Sequence, residues 1–141
     1  MPATAAEPAR NLIIVAAAVL VDGKRCVLLA QRPAGKVMAG LWEFPGGKVN
    51  PGETPEAALA RELREELGID ARMQDLAPFT FASHSYPDFH LLMPLYLCRR
   101  WSGTPTPREG QRLAWVRTDS LAEYPMPPAD QPLIARLHDL L

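Results

Sequence analysis

From Gly47 to Ile69 the chain reads GKVNPGETPEAALARELREELGI, a glycine loop running into a helix with two unlike faces, and few folds can use such a segment. On a helix advancing ~100° per residue with Leu59 at zero, Leu63 and Leu67 fall at roughly 40° and 80°. Glu62, Glu65 and Glu66 fall at roughly 300°, 240° and 340° on the same wheel. One side must be buried, and the strip beside it is a carboxylate cluster. Thr54 before Pro55 marks the start, a hydroxyl cap with proline at the first helical position. Gly68 after Leu67 marks the end, so a helix is expected over about 55–67. Ahead of it, Pro45-Gly46-Gly47 can take positive φ and approach a ligand closely, and Lys48 adds a phosphate-seeking charge.

The acids admit two uses. A solvated acidic face is the ordinary one, yet Glu62 and Glu66 form a like-charge pair at i, i+4, which costs an isolated helix about 0.2–0.5 kcal/mol. Stability alone would place lysine there. A hard divalent cation turns the liability into a site, because Mg²⁺ takes oxygen ligands and commonly uses one or two carboxylates plus substrate phosphates.

Strand-like runs recur at about 12–21, 25–31, 69–82, 89–99 and 112–116, with short apolar material at 41–44 and a second helix at about 131–141. Asp22-Gly23 reads as the turn of a hairpin, which separates LIIVAAAVLV from a signal-peptide core. Pro94 interrupts LLMPLYLC, so that strand is expected at an edge or bulged. The pattern is mixed α/β in one domain, 11–141, after a loose tail at 1–10. Of the 141 residues 48% are hydrophobic, enough for one core, and a net charge of −1 disfavours nucleic-acid or anionic-membrane surfaces. A small-molecule partner fits better, and a monomer is expected. Cys26 and Cys98 lack partner spacing and read as free thiols of a reducing, cytoplasmic compartment. His84, His90 and His138 show no metal spacing and read as structural or surface residues.

Gly47, Glu53, Arg61, Glu62, Leu63, Glu65, Glu66, Gly68 and Ile69 match G-x5-E-x7-R-E-U-x-E-E-x-G-U without a gap, and the chain therefore resembles the Nudix hydrolases. The resemblance implies an α/β/α sandwich with a mixed sheet and a Mg²⁺-dependent hydrolase of nucleoside diphosphates linked to another group, with Mn²⁺ as a substitute ion. LLAQRPAGKVMAGLWEFPGG (28–47), SYPDFH (85–90), REGQ (108–111) and PMPPADQPLIARL (125–137) extend it to the MutT-like branch, the 8-oxo-dGTP diphosphatases that cleanse the nucleotide pool.

By that resemblance Gly47 offers a carbonyl, and Glu62, Glu65, Glu66 and Glu109 offer carboxylates, to the metal. Glu62 or Glu65 is the base for water attack at the β-phosphorus, which gives nucleoside monophosphate and pyrophosphate. Lys48 stabilises the transition state or is an ordinary surface lysine. Arg61 orients the glutamates and Glu53 braces the loop. Arg32, Phe44 and Tyr86 line the nucleoside pocket, although Phe44 also reads as core and Tyr86 as a turn residue beside Pro87.

Asp130 departs from the branch, which carries asparagine there. An amide can accept from N7–H and donate to O6 of 8-oxoguanine, whereas an ionised aspartate only accepts. Either Asp130 is protonated in a dry pocket, or the base presents only donors, as cytosine N4 does. A third use is as the N-cap of the last helix. The alternatives to an 8-oxo-dGTP diphosphatase are accordingly a CTP or modified-cytidine triphosphate pyrophosphohydrolase and, from another class, a non-catalytic nucleotide-binding sensor.

Overall fold

Strand β1 (Asn11–Leu20) carries almost no polar side chain, and its second half, Ala16 to Leu20, is buried on both faces. In the computed structural model, which describes residues 11–141, β1 lies between a parallel neighbour, β6 (Phe89–Cys98), and an antiparallel one, β4 (Gly46–Lys48). The tail expected at 1–10 lies outside the described residues. Strand β5 (Ala77–Ser85) completes a mixed sheet of order β4-β1-β6-β5. A second, antiparallel sheet has the order β3-β2-β7, from Trp42–Glu43, Cys26–Gln31 and Arg112–Arg117.

Alternation along β1 divides the interior into two cores. Ala16, Ala18 and Leu20 pack with Leu59, Leu63 and Leu67 of helix α1 (Pro55–Leu67). Ala17 and Val19 point the other way, into a core shared with Leu29 of β2 and with Leu133 and Leu137 of helix α2 (Leu133–Leu140). The layers are a helix, the sheets and a helix, the α/β/α arrangement that the resemblance implies. No helix among the described residues is long and apolar enough to cross a membrane.

Helix α1 has the predicted limits. Thr54 Oγ1 accepts from the Ala57 amide at 3.1 Å, Pro55 fills the first turn, and Gly68 closes the helix at φ 70° with its N–H on the Arg64 carbonyl. The turn expected at Asp22-Gly23 forms, with Asp22 Oδ1 accepting from the amides of Lys24 and Cys26 at 2.9 and 2.8 Å, but the expected hairpin does not extend beyond it: a single Val21–Val27 bridge joins the two segments before β1 and β2 part into different sheets.

Three expectations fail. The run read as one strand over 69–82 is an isolated bridge from Asp70 to Ser102, a 3₁₀ turn at Met73–Asp75, and then β5, which continues to Ser85 to complete its pairing with β6. Strand β6 is interior rather than an edge. It tolerates Pro94 because the ladder to β1 omits Met93 and Pro94, between the Ile14–Leu92 and Ala17–Leu95 pairs, so the missing N–H faces a gap. The glycines before α1 are a short strand rather than a loop. Gly46 comes so close to β1 that a Cβ there would strike the Ala16 carbonyl oxygen.

Candidate active site

The turn from β4 to α1 is held by one guanidinium. Arg61 donates from Nε and Nη2 to the two Glu53 oxygens at 2.8 and 2.9 Å, from Nη1 to Glu62 at 2.9 Å, and from Nη2 to the Lys48 carbonyl at 3.1 Å. Its reach to Glu65 is longer, 3.4 Å. Glu53 also accepts from the Asn50 amide, and these hydrogen bonds, Arg61's first, hold its carboxyl near 2. Among the described residues, the cation inside the cluster, Arg61, thus gives a two-point contact to Glu53 and a single short hydrogen bond to Glu62.

The remaining acids face one another with little compensation. Glu66 accepts from the Gly46 amide at 3.2 Å, yet burial pushes it up to about 8, with repulsion from Glu62, Glu109 and Glu43 adding to the shift. Burial also raises Glu62, against the pull of Arg61, with Glu65 and Glu109 adding repulsion. Glu65 is the most open of the helix acids, its side chain 53% exposed against 17% for Glu62. Gly47 sits under Glu62, where any Cβ would overlap the carboxylate.

Glu109 reaches this cluster on a loop strapped to the end of α1. The Thr106 amide and Oγ1 donate to the Leu67 carbonyl at 3.0 and 3.3 Å, and the Arg108 amide donates to the Glu66 carbonyl at 3.1 Å. Gln111 Nε2 donates to that same carbonyl at 3.0 Å, while its Oε1 accepts from the Glu109 amide at 2.8 Å. The Arg108 guanidinium lies over Gly68, in the space a Cβ would need.

These residues fit a hard divalent cation. The donors are carboxylate oxygens with the Gly47 backbone beside them, and histidine and cysteine, which softer metals favour, are absent from the set. Among the described residues no three such side chains already converge as a closed cage.

Two cavities meet beside the cluster. One, of about 220 Å³, is lined by Glu66, Glu109, Gln111, Glu43, Arg32 and Gly46. The other, of about 350 Å³, is more apolar and holds Phe44, Tyr86, Phe89, Lys48 and Asp130. Arg32, Glu43 and Gly46 belong to both walls, and Arg32 Nε pairs with Glu43 at 2.9 Å. Phe44 is both core and cavity wall, being 4% exposed. Tyr86 stacks on Phe89 with ring centres 5.1 Å apart, and its hydroxyl accepts from the Ala129 amide at 3.3 Å, so it is more than a turn residue.

Asp130 is 4% exposed. It does not cap α2, which starts at Leu133 behind Pro132 with no side-chain cap. Its carboxyl lies instead by the Phe44 amide, and burial raises it to about 7; Glu43 repels it further while Arg32 opposes the shift.

The structure thus brings Glu53, Arg61, Glu62, Glu65, Glu66 and Glu109 together around α1, and Phe44, Tyr86, Lys48 and Asp130 around the more apolar cavity, with Gly47 between Glu62 and that cavity and Arg32 on both walls. The histidines stand apart from the cluster: His90 is held between Ser83 and Ser85, 2.7 Å from each hydroxyl. Glu43 and Gln111 were not picked out from the sequence. Glu43 stands between two aromatic residues in a short apolar run, the signal that could have flagged it, whereas Gln111 carried none beyond its place in REGQ.

A family model of the NUDIX domain matches residues 16–136. The 8-oxo-dGTP diphosphatase of Escherichia coli (strain K12) is 40% identical over 114 residues, 81% of this chain and 87% of that protein. The CTP pyrophosphohydrolase of the same organism is 42% identical over 131 residues, 86% of this chain and 87% of that protein. A MutT structure from work on the Aliivibrio salmonicida and Vibrio cholerae proteins superimposes with a TM-score of 0.80 at 32% identity, covering 93% of this chain and 100% of the other. The solution structure of the E. coli ORF135 protein gives 0.80 at 37%, covering 93% and 91%.

Proposed function

Because this chain belongs to the Nudix hydrolase family, we propose that it is a Mg²⁺-dependent nucleoside triphosphate pyrophosphohydrolase that prefers 8-oxo-dGTP and releases nucleoside monophosphate and pyrophosphate. The observation that carries this reading is the junction at Gly46 of an acid-lined cavity and an apolar one containing a buried carboxyl. The first suits a metal-bound phosphate chain and the second a nucleoside.

Glu62, Glu65, Glu66, Glu109 and the Gly47 carbonyl would hold the cation. When bound, it neutralises phosphate charge and lowers the pKa of water, and Mn²⁺ can serve in the same oxygen site. Glu62 or Glu65 takes the proton of the water that attacks the β-phosphorus in line. Arg61 fixes the rotamers of both by its hydrogen bonds, and Glu53 fixes Arg61. Lys48, on the rim of the nucleoside cavity, offers charge to the phosphates. Arg32 and Tyr86 wall the nucleoside, and the Phe44 backbone lies beside the base with Asp130.

A carboxyl raised to about 7 is partly protonated at neutral pH, so it can donate to O6 and accept from N7–H as an amide does. This supports 8-oxoguanine. The ionised form accepts only, which suits cytosine N4, and the relative with CTP activity keeps that second reading alive. The free cysteines support a cytoplasmic protein, and the substrate is a free nucleotide acted on by a monomer.

The test is kcat/KM for 8-oxo-dGTP, dGTP, CTP and 5-methyl-dCTP with Mg²⁺. A larger value for CTP than for 8-oxo-dGTP overturns the base assignment. Turnover surviving in Glu66→Gln contradicts the metal assignment, and no turnover of any nucleotide favours the sensor.

A further inference from the structure

Glu109 stands out from the other acids of the cluster because it comes from a loop with no regular structure, while Glu62, Glu65 and Glu66 are fixed by α1. A long side chain on such a loop reaches one point reliably only if something ties its backbone down. The tie is visible. The half-buried Gln111 carboxamide donates to the Glu66 carbonyl on α1 and accepts from the Glu109 amide, both within 3.0 Å.

The Glu66 carbonyl lies in the last turn, where helix carbonyls lack intrahelical partners, and its two lone pairs take the Gln111 carboxamide together with the Arg108 amide at 3.1 Å. The Glu109 amide needs an acceptor. A carboxamide presents a donor and an acceptor from one rigid plane without carrying charge, and reversing that plane would break both bonds.

We infer that Gln111 is a positioning residue that couples Glu109 to the helix carrying Glu62 and Glu66, so that the loop acid and the helix acids are set in one frame. The inference rests on the proposed assignment of Glu109 to the divalent cation. Gln111 itself acts through Glu109 and touches no reacting atom.

The experiment compares wild type, Gln111→Ala, Gln111→Asn, Glu109→Gln and the double variant Glu109→Gln/Gln111→Ala. Asparagine keeps the chemistry of the amide but is one methylene too short to span both partners. Two quantities are read: amide hydrogen exchange in metal-free protein, and Mg²⁺ affinity by calorimetry. In Gln111→Ala and Gln111→Asn the Glu109 amide should exchange at least about tenfold faster while Leu63 and Leu67 stay protected, and the Mg²⁺ Kd should rise about tenfold, as expected for outer-shell partners of metal ligands. The double variant should bind no more weakly than Glu109→Gln alone.

Wild-type exchange and affinity in both Gln111 variants, together with a weakened Glu109→Gln, overturn the positioning role and leave the Glu109 assignment standing. Additive losses in the double variant overturn it as well. Wild-type affinity in Glu109→Gln overturns the metal assignment of Glu109 and the inference with it.

Discussion

Asp130 and Arg61 carry opposite lessons about single residues. Asp130 is raised from an ordinary 3.8 to about 7 by burial, so between those values the native state holds its proton more tightly than the unfolded chain. The stability this group contributes is fully present below pH 3.8 and is lost as pH rises through about 7. Asp130→Asn keeps an acceptor for the Phe44 amide without the buried charge. Its stability relative to wild type should therefore improve from pH 5 to pH 8 by about 2 kcal/mol in urea denaturation, at ~1.4 kcal/mol per pKa unit with a discount for relaxation. Equal differences at the two pH values would show that Asp130 does not titrate as described. The same proton predicts that the kcat/KM ratio of 8-oxo-dGTP to CTP falls as pH rises through 7 in wild type and is flat in Asp130→Asn. For Arg61, five hydrogen bonds radiate in one plane to Glu53, Glu62, Glu65 and Lys48. Lysine has the charge but not the fork. Arg61→Lys should lower kcat by roughly 10–100-fold with a small change in Tm, on the scale seen for partners that orient metal ligands. The sequence made the Asp130 choice visible, since donors and acceptors are properties of a residue. It could not choose among the uses, because burial against Phe44 arises only when β3 and the segment before α2 meet.

Among the elements, α1 was legible to the residue because each limit has its own chemistry in Thr54, Pro55 and Gly68. Strand β4 was not, since two glycines and a lysine carry no strand preference and pairing with β1 decides their state. Strand β6 misled for a related reason: Pro94 forbids one hydrogen bond, and a gap in the ladder satisfies that rule in the middle of a sheet. Gly68 shows how an element boundary becomes part of the site. It is required both for φ 70° and for the Arg108 guanidinium lying on it. Gly68→Ala should cost about 1–2 kcal/mol from the left-handed backbone alone, and displacing Arg108 should also loosen Glu109. Denaturant midpoints test the first effect, and Mg²⁺ affinity tests the second. A destabilised variant with unchanged affinity would separate the helix cap from the loop.

For the whole molecule, the acids of the cluster are close only when β4, α1 and the 106–111 loop are assembled, so a cation that binds there binds the native state and not the unfolded chain. Mg²⁺ at ten times its Kd should add about 1.4 kcal/mol of stability. A Tm that rises with Mg²⁺ in wild type but not in Glu62→Gln/Glu66→Gln would bear this out, and equal rises would place the ion elsewhere. A final consequence belongs to β1. Its run of alanines, Ala16, Ala17 and Ala18, extends no further than Cβ on either face, with Leu59 and Leu63 against one side and the opposite core against the other. At β1 itself the separation between the layer that bears the acids and the layer that bears Asp130 is little more than a backbone and its methyl groups. Bulk added at any of the three has no slack to take up on either side, so a larger residue there would push the two layers apart and change how the two cavities meet at Gly46.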